Sequence, residues 1–214
     1  MNNALIADLI IAALPLIFAV TLHEAAHAYV ARYFGDDTAA RLGRITLNPL
    51  PHIDPIGTLL LPVGLFLLSG GAFAFGYAKP VPVDFSRLRR PKQDMLWVAA
   101  AGPGANLLMV VGWALLHKLT FGIPPNGYTL ALASMCFFGV TINLVLMLLN
   151  LLPLLPLDGG RIVVSLLPMR WAIAFSRTEP YGIIILVLLL GTHSLSNILK
   201  PMIELCLRLL QPFF

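Results

Sequence analysis

The residues best suited to chemistry are two histidines four positions apart, with a glutamate directly after the first. His23, Glu24 and His27 stand in the run His23-Glu24-Ala25-Ala26-His27. Residues four apart share one face of a helix, so both imidazoles can bind one zinc ion while Glu24 acts as a base toward the attacking water. Because the run lies in an apolar segment, where ionisable side chains are usually functional, it is typical of a zinc hydrolase embedded in a membrane.

Two histidines at this spacing arise by chance in many helices, so they indicate a zinc site only if the chain also supplies a third ligand. Asp158 is the strongest candidate, because it follows a long apolar segment that Pro153 and Pro156 must break, and a carboxylate placed there is costly. The alternative is that Asp158 only caps the following helix. His52 and Asp54 form a rival pair in a proline-rich loop, where they could contribute to the site or simply pair with each other.

Composition indicates an integral membrane protein. Hydrophobic residues make up 58% of the 214 and charged residues 11%. About 20 apolar residues cross a bilayer as a helix, and four segments are predicted to do so: roughly residues 4 to 33, 95 to 117, 129 to 152 and 181 to 195. The net charge of +4 comes with no basic stripe of interleaved aromatics, which excludes nucleic acid as a partner. The two cysteines form no spacing motif, so neither a disulfide framework nor a cysteine zinc site is expected.

Two features between the first and second spans depart from simple helices. Residues 55 to 70 are apolar but short, and Pro62 and Gly64 interrupt them. Residues 70 to 83 alternate glycines with aromatics, which predicts a small β-hairpin. Near the end of the chain, the tail from Asn197 onward predicts an amphipathic interfacial helix.

Topology decides between the two possible paths of residues 55 to 70. The histidines lie near the C-terminal end of the first span, and Asp158 lies just past the C-terminal end of the span at 129 to 152, so both ends must open on one side. If residues 55 to 70 crossed, Asp158 would emerge on the opposite side, and they are therefore predicted to be re-entrant. Most of the 14 lysines and arginines then share the side of the site, which is the cytoplasm by the positive-inside rule.

These motifs together resemble the site-2 proteases, zinc metalloproteases that cut substrates within the membrane. The histidine run matches the first motif of that family, and Asn150-x-x-Pro153-x-x-x-x-Asp158-Gly159 matches the second at the same internal spacing. The middle core helix of the family is similar to the run Ala101-Gly102-Pro103-Gly104-Ala105-Asn106. The chain has no room for a PDZ or CBS-type domain, so it resembles a minimal form.

The resemblance implies one membrane-embedded domain over residues 1 to 214, with a three-helix catalytic core at 4 to 160 and further helices at 161 to 214. It implies one Zn²⁺ per chain held by His23, His27 and Asp158, with Glu24 as general base. Asn150 would donate to the developing oxyanion or bond a neighbouring helix. Gly102 and Gly104 favour close packing, and Asn106 a bond between helices.

The function expected from this resemblance is endopeptidase cleavage of transmembrane segments in membrane-protein substrates, as in regulated intramembrane proteolysis. The expected location is a prokaryotic plasma membrane, with the site toward the cytoplasm. Residues 70 to 83 would either clamp an unwound substrate by strand addition or form a plain surface hairpin. A transporter would also place His, Glu and Asp in the membrane, but the sequence shows no inverted repeat or paired broken helices.

Overall fold

A computed structural model of the chain describes residues 3 to 52 and 79 to 213, with side chains at 11 to 51 and 79 to 213. The described residues form eight α-helices joined by turns and irregular segments. They are α1 (Asn3–Tyr33), α2 (Thr38–Arg41), α3 (Pro91–Thr120), α4 (Gly127–Asn150), α5 (Asp158–Leu166), α6 (Met169–Ser176), α7 (Glu179–Gly191) and α8 (Ser194–Leu209). The all-helical fold predicted from the sequence is confirmed for this part of the chain.

Within the described residues, three helices are long and apolar enough to cross a membrane. They cover Ile11–Tyr33 in α1, Pro91–Thr120 in α3 and Gly127–Asn150 in α4, which confirms the first three predicted spans. The fourth prediction, residues 181 to 195, falls mainly on α7, a helix of 13 residues. At about 1.5 Å per residue this helix is shorter than the hydrocarbon layer. It passes as a span only together with α6, from which it is bent by 60°.

The three long helices pack in alternating directions. Contacts join Ala19 to Asn106 and His27 to Val98, so α1 and α3 are antiparallel. Asn106 contacts Asn143, and Trp113 packs against Gly139, so α3 and α4 are also antiparallel. Consequently α1 and α4 run parallel, and their C-terminal ends lie at the same end of the bundle, as the topological argument requires.

The turn after α4 folds back on itself before α5 begins. Gly159 lies so close to the carbonyl oxygens of Leu151 and Leu152 that a Cβ there would clash with them. Gly160 has the same relation to the backbone of Leu154 and Leu155. Because only glycine fits such close approaches, this pair allows the chain to reverse and places Asp158 at the start of α5.

The C-terminal helix α8 begins at Ser194, slightly before the predicted interfacial helix. Its Leu195 and Leu199 are buried in a cluster with Val140, Leu144 and Leu148 of α4. The apolar face of α8 is therefore partly covered by a span rather than by lipid alone.

The small β-hairpin predicted for residues 70 to 83 is not supported. No strand occurs among the residues that the structure describes, and residues 79 to 83 have no regular secondary structure. Pro80 and Pro82 lack the N–H group that a strand ladder needs, and the Val81 N–H donates to Glu24 instead of to a partner strand. Residues 70 to 78, which make up most of the predicted substrate clamp at 70 to 83, lie outside the described residues, as does the re-entrant segment predicted at 55 to 70.

Candidate metal centre

Three of the predicted site residues meet at one point. His23 and His27 come from adjacent turns of α1, and Asp158 is the first residue of α5. The two Nε2 atoms are 3.1 Å apart, and Asp158 Oδ2 is 3.3 Å from each of them. In the part of the chain that the structure describes, these three residues form the one group able to hold a metal ion.

The spacing of these three atoms fits a tetrahedral zinc ion. Ligand atoms bound at about 2.0 Å in tetrahedral geometry are about 3.3 Å from one another. Asp158 Oδ2 supports the same assignment, because it is the one buried side-chain polar atom of the described residues that lacks a hydrogen-bond partner. An unpaired buried acceptor is costly, and a bound cation would satisfy it.

Both imidazoles are oriented through their other ring nitrogen. His23 Nδ1–H donates to Asn106 Oδ1 at 2.6 Å, and His27 Nδ1–H donates to the Val98 carbonyl at 2.7 Å. With the protons on Nδ1, both Nε2 lone pairs face Asp158. Partners of this kind fix the tautomer and the ring orientation of ligating histidines.

Asn106 connects the site to the third span. Its Nδ2 donates to Asn143 Oδ1 at 2.9 Å and to the Ala19 carbonyl at 3.3 Å, while Asn143 Nδ2 donates to the Gly139 carbonyl at 2.8 Å. Both asparagine side chains are fully buried. The predicted interhelical role of Asn106 is confirmed. Asn143 was missed by the sequence reasoning, although an asparagine inside an apolar span is a usable signal.

Gly102 leaves room for the site. A Cβ on this residue would meet both imidazoles and lie 2.6 Å from His23 Nε2. By contrast, a Cβ on Gly104 would have no neighbour within 4 Å. Gly102 therefore does more than bring α1 and α3 close together, because any side chain there would enter the space between the two histidines.

Glu24 is half-buried beside this cluster and is held by the main chain. Its Oε2 accepts a hydrogen bond of 2.7 Å from the Val81 N–H, whose neighbours Pro80 and Pro82 have no N–H to offer. Val81 itself is buried against Ala28 of α1. The irregular segment that leads toward α3 thus fixes the carboxylate next to the candidate ligands.

Among the described residues, the Asn150 side chain bonds within its own helix rather than to a neighbouring one. Its Nδ2 donates to the Leu146 carbonyl at 3.0 Å, one turn earlier in α4. The rival residues remain untested: His52 ends a short 3₁₀ turn, Leu50–His52, but its side chain is not described, and Asp54 lies outside the described residues.

Charged side chains gather at the same end of the bundle as the candidate metal centre. Arg32, Arg41, Arg87, Arg89 and Arg90 are all exposed there. Hydrogen bonds from the hydroxyl and the N–H of Ser86, together with Arg87, hold the pKa of Asp84 below its usual range. The strongly apolar bundle thus ends in a polar surface on the side of the site.

The helices and the cluster define a multi-pass membrane protein with a candidate metal centre between its spans. Comparison with known proteins makes the class specific: the model of "Peptidase family M50" matches residues 122 to 192, which include Asp158. The protein named "Putative zinc metalloprotease YwhC" of Bacillus subtilis is 40% identical over 192 residues, covering 88% of this chain and 84% of that protein. The chain belongs to peptidase family M50, the site-2 proteases.

Two mycobacterial relatives, each named "Putative zinc metalloprotease Rip2", extend the comparison. The protein of Mycolicibacterium smegmatis is 32% identical, covering 85% of this chain and 66% of that protein. The protein of Mycobacterium tuberculosis is 33% identical, covering 64% of this chain and half of that protein. No solved structure gives a significant match. The family implies a zinc cofactor, and the geometry of the cluster fits that ion.

Proposed function

We propose that this protein is an intramembrane zinc endopeptidase that cleaves transmembrane segments of membrane-protein substrates. The observation that carries the proposal is the position of the cluster, where His23 and His27 on one span face Asp158 at the end of another. A hydrolytic centre placed between membrane helices acts on chains that lie within the bilayer. The whole chain would serve as a single catalytic domain.

In this proposal His23, His27 and Asp158 hold the zinc ion. When bound, the ion acts as a Lewis acid and makes water a stronger nucleophile at neutral pH. Glu24, held by the Val81 N–H, takes the proton from the attacking water and passes it to the leaving amine. Asn106 and the Val98 carbonyl keep both imidazoles in the form that leaves Nε2 free.

Asn150 has a proposed role in stabilising the oxyanion. Its side-chain amide donates to the Leu146 carbonyl, which is also the regular α-helical acceptor for the backbone N–H of Asn150. The donor can therefore leave this carbonyl without isolating it, and turn toward a substrate carbonyl as negative charge develops. If Asn150 acts in this way, its loss lowers kcat more than it changes KM.

We further propose that the site lies near the cytoplasmic surface of a prokaryotic plasma membrane. Val98, which orients His27, directly follows the exposed Trp97, and Tyr33 and Trp171 are also exposed. Tryptophan and tyrosine are enriched at the level of the lipid headgroups. The arginines at this end agree with the cytoplasmic side by the positive-inside rule. The bacterial origin of the relatives supports the choice of membrane.

The test is Glu24→Gln in liposomes that also contain single-span test proteins tagged at both ends. We expect the variant to retain one zinc ion per chain, because Glu24 is not a candidate ligand. Cleavage should fall by about 10² to 10⁴-fold, the usual contribution of a general base. Gel analysis of the two tags and metal analysis of the same sample measure both quantities.

Persistent cleavage by Glu24→Gln would refute the assigned base. Wild-type liposomes that cleave none of the test proteins but carry a zinc-dependent ion flux would favour the transporter alternative. The matched control is Glu204→Gln, because Glu204 is an exposed glutamate of α8, far along the chain from the motif.

A further inference from the structure

The candidate ligand Asp158 sits on a helix with little support of its own. Helix α5 has nine residues, and no side chain caps its N-terminus at Leu157. The preceding turn contains two prolines, which donate no hydrogen bond, and its backbone bonds are local, such as those from the Leu154 N–H to Leu152 and from the Leu157 N–H to Leu154. The position of the carboxylate relative to the histidines must therefore be set by contacts between α5 and other elements.

Arg161, one turn after Asp158, supplies two such contacts. Its Nη2 lies 2.6 Å from Glu179 Oε1, at the first residue of α7. Its guanidinium carbon also lies 5.0 Å from the centre of the Phe85 ring, within the range of a cation–π interaction. One side chain thus joins α5 both to α7 and to the 3₁₀ turn Phe85–Arg87.

The contact with Phe85 reaches the histidine side of the site. Phe85 packs on a buried cluster that includes Ala31 of α1 and Val98 of α3. Val98 is the residue whose carbonyl accepts the bond from His27 Nδ1–H. Arg161 is therefore anchored to the same packing that orients one of the two candidate histidine ligands.

Helix α7 also holds the turn that leads to Asp158. Gly182, one turn after Glu179, is buried, and a Cβ on it would collide with the carbonyl oxygen of Leu155. The first turn of α7 therefore contacts the chain on both sides of Asp158: Gly182 meets the backbone of Leu155, and Glu179 pairs with the Arg161 side chain.

We infer that Arg161 is a positioning residue, which acts through Glu179 and Phe85 to hold Asp158 at the correct distance from His23 and His27. This inference rests on the proposed function, since it assumes that Asp158 binds zinc. The Arg161 and Glu179 side chains are 30% and 39% exposed, and ion pairs this accessible contribute little to folding stability. Their loss should therefore affect metal affinity more than folding.

The experiment measures zinc affinity of the purified full chain in detergent, by competition with a chelator, for Arg161→Gln, Glu179→Gln and the double variant. We expect each single change to weaken zinc binding by about tenfold, the low end for partners outside the ligand shell. The double variant should be no weaker than Arg161→Gln alone, because both changes break the same contact. The melting temperature of the zinc-free protein should stay unchanged.

Two further measurements separate positioning from general structural support. Cobalt substituted for zinc should show an altered absorption spectrum in Arg161→Gln, and the charge-swapped variant Arg161→Glu with Glu179→Arg should recover part of the lost affinity. Arg170→Gln is the matched control, since Arg170 is exposed on the neighbouring helix α6. If Arg161→Gln is poorly folded, the swapped pair and Glu179→Gln still provide the test.

Wild-type zinc affinity in both Arg161→Gln and Glu179→Gln would overturn the inference. The inference would also be overturned if every variant that loses zinc affinity shows a matching decrease in the melting temperature of its zinc-free form. Failure of the proposed function has a different signature, in which the wild-type protein binds no zinc or loses none when Asp158 is replaced.

Discussion

The two sides of the candidate metal centre are held by different means. His23 and His27 lie on a long span, where the helix repeat places them together and their Nδ1–H groups donate to Asn106 Oδ1 and to the Val98 carbonyl, which orients the rings. Asp158 lies on a short helix after an irregular turn, where close backbone contacts and the Arg161–Glu179 pair set its position. The histidine side depends on side-chain hydrogen bonds, and the aspartate side depends on backbone path.

This difference predicts two kinds of sensitivity. On the histidine side, a lost hydrogen bond should loosen an imidazole but leave the helix in place, so affinity should fall by degrees. On the aspartate side, the ligand is a single residue whose loss leaves two imidazoles and an open coordination shell. Substitutions on the two sides should therefore lower zinc affinity by different amounts.

The largest effect is expected for Asp158→Ala. Removing a direct ligand should lower zinc affinity by more than about 100-fold, which exceeds the effect of losing an outer partner. The zinc content of the purified protein, compared with that of His23→Ala, measures this. Full zinc occupancy in Asp158→Ala would place the third ligand elsewhere, with His52 or Asp54 next to be tested.

A nearly equal effect is expected for Gly102→Ala, which acts on the histidine side through volume alone. The added methyl group would lie against both imidazoles, so zinc content should fall to a small fraction of the wild-type value. Gly104→Ala, on the same helix with open space around it, is the matched control and should bind zinc normally. Equal zinc content in the two variants would contradict the close approach of α3 to the histidines.

Smaller, graded effects are expected along the asparagine pair. Asn106→Ala removes the acceptor of His23 Nδ1–H and should weaken zinc binding by about 10 to 100-fold. Asn143→Ala leaves that bond in place and removes only the partner of Asn106, so its effect should be several times smaller. Chelator competition measures both zinc affinities. A larger loss of affinity in Asn143→Ala than in Asn106→Ala would contradict the arrangement in which Asn143 acts on His23 only through Asn106.

The sequence predicts the histidine side well because, in a regular helix, residues four positions apart always lie on the same face. The requirement that Asp158 meet the histidines places it at their end of the bundle, but the sequence does not predict the turn itself, which depends on the close contacts at Gly159 and Gly182. Asn143 escaped notice because no motif marks it, and its role exists only once two helices pack together. The hairpin prediction, which the described residues do not support, relied on alternation, although Pro80 and Pro82 deprive residues 79 to 83 of regular donors.

A chain of hydrogen bonds runs from the Gly139 carbonyl through Asn143 and Asn106 to His23, and it allows only one assignment of donors and acceptors. A peptide carbonyl never donates, so Gly139 obliges Asn143 to turn its amino group toward it and its oxygen toward Asn106. Asn106 must then present its own oxygen to the imidazole, which requires a proton on Nδ1. The protonation pattern of His23 is thus dictated by the main chain of the third span, so that assembly of the bundle itself chooses which nitrogen remains free.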